Sequence, residues 1–193
     1  MPKLNKPTPT FIISGPSGAG EDSVIAALKK RISFSKCVTT ITRNRRPGEK
    51  HGRDYYFITD ATFKKMITTK AFIEWARVYG CYRGCTKKEY NKVAKQGSPI
   101  LFKVDWQGVK KYKKVLPHCV AIMISPPSYK ALEKRLLKRG QDSVETINKR
   151  AAETKAWLKH KNLYNHVIVN QDGQLKTTVD RVEKIIRKHL DQV

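Results

Sequence analysis

Short runs of consecutive apolar residues recur along the chain, separated by amphipathic stretches. Phe11–Ser14, Cys37–Ile41, Ile100–Val104, Val120–Ile124 and Val167–Val169 read as short strands. Their lack of polar alternation suits strands covered on both faces. Helical spacing lies between or after them, in Ser23–Ile32, Lys87–Gln96, Tyr129–Arg139, Val144–Lys161 and Leu175–His189. In the last of these, Val179, Val182, Ile185 and Ile186 share a face, and Leu190 extends it. Gly97 and Gly140 fall where helices stop, and Ser128, after Pro126-Pro127, suits an N-cap. This alternation predicts an α/β fold, with a mostly parallel five-stranded sheet flanked by helices. Ligands of such sheets bind at the carboxyl ends of the strands. Residues 43–85 break the rhythm: Arg, Gly, Tyr and short β-prone runs (Tyr55–Ile58, Phe72–Trp75) predict an inserted β-rich lobe.

A chain of 193 residues suits one domain with inserted lobes. No apolar run reaches membrane-spanning length and no secretory signal is visible, so a cytoplasmic protein without membrane contact is expected. Cys37, Cys81, Cys85 and Cys119 are too scattered for a disulfide scaffold, and Cys81-x-x-x-Cys85 lacks a completing His or second pair. Free thiols are the expectation. The net charge of +24, from 40 Lys+Arg against 16 Asp+Glu, favours anionic ligands. Neither zinc-finger spacing nor an RRM-like aromatic box accompanies it, so specific nucleic-acid binding is not expected.

The chemistry starts at Gly15-Pro16-Ser17-Gly18-Ala19-Gly20-Glu21-Asp22-Ser23, between a predicted strand and a predicted helix. Strand, glycine-rich turn and helix is the context of the phosphate-binding pattern G-x-x-x-x-G-K-[ST], whose backbone N–H groups curl around phosphate oxygens. Glu21 and Asp22 stand where that pattern has lysine and a hydroxyl. The inserted lobe carries Thr42-Arg43-Asn44-Arg45-Arg46-Pro47-Gly48-Glu49 and Gly52-Arg53-Asp54-Tyr55-Tyr56-Phe57, in which guanidinium forks and a phenol suit a phosphate. Further on, Phe72-Ile73-Glu74-Trp75-Ala76 sets a carboxylate among apolar neighbours, where it could accept from the N1–H and N2 amine of guanine.

These segments, with Val104-Asp105-x-Gln107-Gly108, Pro126-Pro127-Ser128, Arg135…Arg139-Gly140 and Val167-x-Val169-Asn170, resemble guanylate kinase from about Phe11 to His189. The resemblance implies a P-loop kinase core (about 10–40, 95–130 and 160–193), a mixed β-rich GMP-binding lobe (about 41–94) and a helical lid (about 131–159). It implies phosphoryl transfer from ATP to GMP or dGMP with Mg²⁺, by a monomer or homodimer. By matching positions it implies that Arg43, Arg46 and Tyr55 hold the GMP phosphate and that Glu74 and Thr39 read guanine. It places Asp105 near Mg²⁺ and the acceptor, Arg135, Arg139 and Arg150 on the transferring group, and Asn170 beside adenine.

The chain departs from the family pattern at several of these places. Besides Glu21 and Asp22, Lys103 stands where an acidic residue is usual, Arg83 replaces a phosphate-binding tyrosine, and Cys85 replaces a guanine-contacting Ser/Thr. Gln171 follows Asn170, where an acid is common. The opposite signs at Glu21 and Lys103 predict a charge exchange: Glu21 pairs with Lys103 or turns outward, and Lys103 or a lid arginine supplies the missing cation. Asp22 is the candidate Mg²⁺ ligand, and Arg83 is expected to strengthen the acceptor-phosphate grip. Two rival readings are an impaired module that binds GMP or a phosphorylated ligand, and a kinase for another phosphorylated acceptor. Retention of the lid arginines and of Glu74 favours the guanylate kinase reading.

Overall fold

The computed structural model describes residues 8–78, 80–139, 154, 157 and 159–192. Strands are β1 (Thr10–Ser14), β2 (Ser35–Lys36), β3 (Thr40–Ile41), β4 (Tyr56–Phe57), β5 (Phe72–Val78), β6 (Cys81–Thr86), β7 (Ile100–Lys103), β8 (Val120–Ser125) and β9 (His166–Val169). Helices are α1 (Glu21–Leu28), α2 (Asp60–Thr68), α3 (Lys87–Ala94), α4 (Trp106–Val115), α5 (Tyr129–Arg139) and α6 (Leu175–Leu190). The core sheet has five strands in the order β2-β7-β1-β8-β9, all paired in parallel.

Alternation along β1 explains its unbroken apolar run. Phe11 and Ile13 face a layer built with Val24 and Leu28 of α1 and Val179, Val182 and Ile186 of α6. Ile12 faces the opposite layer, with Phe102, Val109 and Tyr112. Both faces are covered, so no polar position is tolerated between them.

The second sheet has four strands in the order β4-β3-β6-β5 and mixes parallel and antiparallel pairs. It is the inserted lobe. Of the run Cys37–Ile41, expected as one core strand, only Thr40–Ile41 is a strand and it belongs to the lobe; the core-sheet strand precedes the run at Ser35–Lys36. Residues 37–39 cross between them. The apolar run is continuous because it leaves one buried layer and enters another.

Helices α2 and α4 add to those expected from spacing. Thr59 caps α2 by accepting from the Thr62 N–H, and its buried Phe63 stacks on Phe72 at 4.3 Å and on Tyr82 at 5.2 Å. Asp105 caps α4 by accepting from the Gly108 N–H at 2.8 Å. Helix α1 starts earlier than expected, at Glu21, and stops at Leu28 once Val24 and Leu28 have covered the sheet. The expected helix Val144–Lys161 lies almost wholly outside the described residues.

Where β5 and β6 pair, the missing side chain of Gly84 is a packing requirement. A Cβ there would lie 2.8 Å from the Glu74 carbonyl oxygen and 2.9 Å from both Phe72 Cδ1 and Trp75 Cβ. Overpacking of this kind costs about 1–3 kcal/mol. Gly84→Ala is expected to lower the thermal midpoint while leaving the core sheet assembled; an unchanged melt would contradict the tight β5–β6 approach.

Candidate active site

The glycine-rich loop leaves the carboxyl end of β1, at the centre of the core sheet. Gly18 and Gly20 take φ of 90° and 97°, a region that costs other residues strain. A Cβ on Gly20 would also lie 2.4 Å from Asn170 Nδ2. Gly20 precedes α1 without a capping side chain of its own, and the Glu21 carboxylate accepts from the Gly20 and Glu21 N–H groups, where an anion at a helix start would sit. Ser17, Ala19 and Pro16 complete the turn, with the Ala19 N–H donating to the Pro16 carbonyl at 2.9 Å.

From behind, the loop is held by its carbonyls. Asn170 Nδ2 donates to the Ala19 carbonyl at 2.8 Å, and the Thr178 hydroxyl donates to Asn170 Oδ1 at 3.0 Å. Arg135 faces the Gly18 and Ala19 carbonyls at 3.4 Å, donates to the Asn170 carbonyl at 2.8 Å and pairs with Asp172 at 2.5 Å. In this conformation Arg135 and Asn170 therefore position the loop, a role the sequence did not suggest for either. Leu132 and Leu136 of α5 pack beside Gly18, so the start of the expected lid lies on the loop. Arg139 closes α5, and Arg150 lies outside the described residues.

Parallel pairing of β1 with β7 sets Ile13 beside Lys103. Lys103 thus emerges at the sheet edge from which the loop departs. Its Nζ lies 2.5 Å from Asp22 Oδ1 and 3.9 Å from Glu21 Oε1. Both acids of the loop face one cation supplied by the neighbouring strand, so the Glu21–Lys103 pairing is present and Asp22 shares it. Glu21 is largely buried, with its side chain 12% exposed, whereas Asp22 and Ser23 are exposed. Burial pushes the Glu21 carboxyl above the ordinary carboxylate range, and the Lys103 charge pulls it partly back.

Strand alternation gathers the acceptor candidates on one face of the lobe sheet. Glu74 pairs with Cys85, Ala76 with Arg83, and Arg83 with Ile41, so these side chains share a face. Thr39 and Arg43 continue the alternation from Ile41, and Tyr55 from Phe57. Arg43 lies 5.3 Å from the Tyr55 ring centroid and 5.7 Å from that of Phe57. Arg46, more exposed, follows on the same loop.

Glu49, which sequence reasoning left without a role, organises that loop. Its oxygens take the Arg43 fork at 2.7 and 2.5 Å and the Arg46 N–H at 2.8 Å. These contacts hold its carboxyl down to about 2, the Arg43 side chain being the main cause. It lies in a segment rich in arginine, but only the folded loop shows which one it takes.

Polar atoms left unpaired are concentrated on this face. Arg43 Nε, Arg83 Nε and Glu74 Oε2 are buried and make no hydrogen bond. Such atoms are costly unless a ligand completes them. Glu74 is only 8% exposed, and burial raises its carboxyl to about 7, against a partial pull from Lys111. Lys111 of α4 donates to the Trp75 carbonyl on the edge strand β5 and stands 4.9 Å from the Trp75 ring centroid. Asp105, half-buried at the start of α4, raises the Glu74 carboxyl further, by repulsion.

Comparison with known proteins follows this geometry. The family model for guanylate kinase matches residues 7–189. The chain is 44% identical over 164 residues to the guanylate kinase of Shewanella violacea, covering 84% of this chain and 79% of that one. It is 40% identical over 180 residues to that of Escherichia coli K12, covering 92% and 86%. Its fold matches the crystal structure of guanylate kinase from Anaplasma phagocytophilum with a TM-score of 0.71 and 28% identity, over 96% of this chain and 87% of that one. Matched by the family model over residues 7–189 and by relatives at 40% and 44% identity, this chain belongs to the guanylate kinase family.

Proposed function

We propose that this protein transfers the γ-phosphoryl group of ATP to GMP or dGMP, giving ADP and the diphosphate. The observation that carries the reading is the buried, unpartnered Glu74 carboxylate on the same lobe face as the unpaired Arg43 and Arg83 Nε atoms. A base that offers paired donors and a phosphate at the far end would satisfy all of them. Guanine offers N1–H and the N2 amine to Glu74; adenine has no such pair on that edge. Thr39 flanks the base and Arg43, Arg46, Tyr55 and Arg83 hold the phosphate, whereas Cys85, expected beside guanine, is fully buried and turned to Cys37 and the Thr86 carbonyl. Glu49 keeps Arg43 in place.

On the donor side, the loop amides and Lys103 take the ATP phosphates. The P-loop lysine is replaced by a cation on the next strand, aligned by Asp22 and Glu21. Arg135, Arg139 and Arg150 offset charge on the transferring group, Arg135 also by fixing the loop. Phosphoryl transfer asks for positioning and electrostatic stabilisation, with little covalent work by the protein.

A bound Mg²⁺ would neutralise part of the charge on the donor phosphates. The donor set fits it. No group of three or more His, Cys, Asp or Glu among the described residues could hold a metal, and Mg²⁺ is usually bound through one or two carboxylates plus substrate phosphates and water. Asp22, exposed at the loop, is the carboxylate that would hold it directly or through water, with Asp105 facing the acceptor. A cytoplasmic setting accords with four cysteines none of which forms a disulfide.

The acids in the loop favour a second reading, a module that binds GMP without turnover. A coupled assay across GMP, dGMP, AMP and UMP with Mg²⁺-ATP separates the two. ATP-dependent turnover of GMP and dGMP above the others is expected, and GMP binding without turnover would establish the module instead.

A further inference from the structure

The geometry points to a disulfide modification site formed by Cys37 and Cys85, through which oxidation controls the acceptor lobe. The sulfur atoms lie 3.0 Å apart and both residues are buried, at 6% and 0% exposure. A bond of about 2.0–2.1 Å requires the sulfurs to close by only ~1 Å. Cys37 lies in the 37–39 crossing between the core sheet and the lobe sheet. Cys85 lies on β6, opposite Glu74 and on the same face. A bond between them ties the crossing to the strand that carries Arg83.

The site is distinct from the other thiols. Cys81 lies at the start of β6, and Cys119 is buried just before β8. Burial and the mutual contact keep the Cys37 thiol protonated well above the usual range. The pair therefore reacts slowly in the closed protein and chiefly through local opening. A ligand held by Glu74, the β5 partner of Cys85, opposes that opening.

With hydrogen peroxide as oxidant, the atoms balance. Cys37, the slightly more exposed thiol, attacks one peroxide oxygen; the O–O bond breaks, leaving a sulfenic acid and releasing water. The Cys85 sulfur then displaces the hydroxyl, the S–S bond forms, and its proton leaves in a second water. The sulfurs lose two electrons in total, and the peroxide takes them up. The disulfide draws the Cys85 sulfur toward Cys37 and with it β6, which carries Arg83 and pairs with the Glu74 strand.

The functional consequence rests on the proposed GMP site, whereas the cross-link itself can be read without any activity. Folded full-length protein is treated with hydrogen peroxide, then peptide-mapped with and without dithiothreitol. A Cys37–Cys85 peptide, reversed by dithiothreitol and slowed by GMP, is expected. KM for GMP should rise about tenfold as β6 shifts beside Glu74 and Arg83, with KM for ATP unchanged. Cys37→Ser is expected to keep basal activity and to resist this change. Cys37→Ala, which brings no hydroxyl into the buried site, serves if the serine variant does not melt as a folded protein. Oxidation of Cys81 or Cys119 while Cys37 and Cys85 stay reduced would overturn the site. Equal peroxide sensitivity in wild type and the Cys37 variants would overturn its control of the lobe. If the protein does not turn over GMP at all, the mapped peptide alone decides the site.

Discussion

Lys103→Ala is expected to lower kcat/KM for ATP by about 100- to 1,000-fold, the usual cost of removing one preorganised charge donor from a transition state. The cause is electrostatic. Glu21 and Asp22 would remain beside the donor phosphates without the ammonium that now faces both of them. A carboxylate about 4 Å from a phosphate is repelled by several kcal/mol at moderate effective dielectric. Lys103 is 44% exposed on its side chain, so losing its ion pairs alters fold stability by at most ~1 kcal/mol. Activity should collapse while the thermal melt hardly moves. Glu21→Lys in the Lys103→Ala background puts a cation back on the loop and should recover at least about tenfold of the loss. Steady-state kinetics with ATP varied at saturating GMP provide the measurement. Full activity in Lys103→Ala would show that the cation comes from elsewhere.

Glu74→Gln should abolish guanine recognition and at the same time stabilise the free protein at alkaline pH. A carboxylate can accept from both N1–H and the N2 amine; an amide offers one acceptor and one clashing donor. Loss of about 1,000-fold or more in kcat/KM for GMP is expected, because sites built around paired hydrogen bonds discriminate strongly. Burial raises the Glu74 carboxyl from the ordinary 4.5 to about 7 in the free fold. Its protonated form is thus the one the fold favours. The associated stability is fully present below 4.5 and is lost as pH rises through about 7. The melting difference between Glu74→Gln and wild type should accordingly be small at about pH 5 and positive at about pH 8. GMP, by contrast, selects the ionised form, so wild-type KM for GMP should rise about tenfold per pH unit below the Glu74 midpoint and stay flat in the variant. The Arg43–Glu49 pair does not confuse this profile, because Glu49 titrates only near 2. A wild-type KM that stays constant with pH would remove Glu74 from guanine recognition.

The features best read in the sequence are those whose causes are local. The strand–loop–helix around Gly15–Ser23 rests on an apolar run, glycines and the Val24/Leu28 spacing, all within a few residues of one another. The long apolar face of α6 was equally plain. Helix α4 was passed over because Gly108 and its many lysines weaken the pattern, although Val109 and Tyr112 are buried on one side. Helix α2 lies in a stretch whose arginines, tyrosines and β-prone runs argued for strands, and a single buried Phe63 anchors it. Cys37–Ile41 looked like one strand because apolar composition does not say which sheet a residue joins.

The sequence by itself determined the α/β class, the glycine-rich loop between strand and helix, the basic and carboxylate residues of the inserted lobe, and the opposite charges at Glu21 and Lys103. Composition and short-range spacing carry all of these. Only the tertiary structure decided that Lys103 faces both loop acids, since this depends on the Ile13–Lys103 register between strands about 90 residues apart. It alone assigned Glu49 to Arg43, turned Arg135 and Asn170 onto the loop carbonyls, and brought Cys37 against Cys85. Such contacts join residues far apart in the chain. Their geometry is set by sheet pairing and packing, which local pattern does not encode.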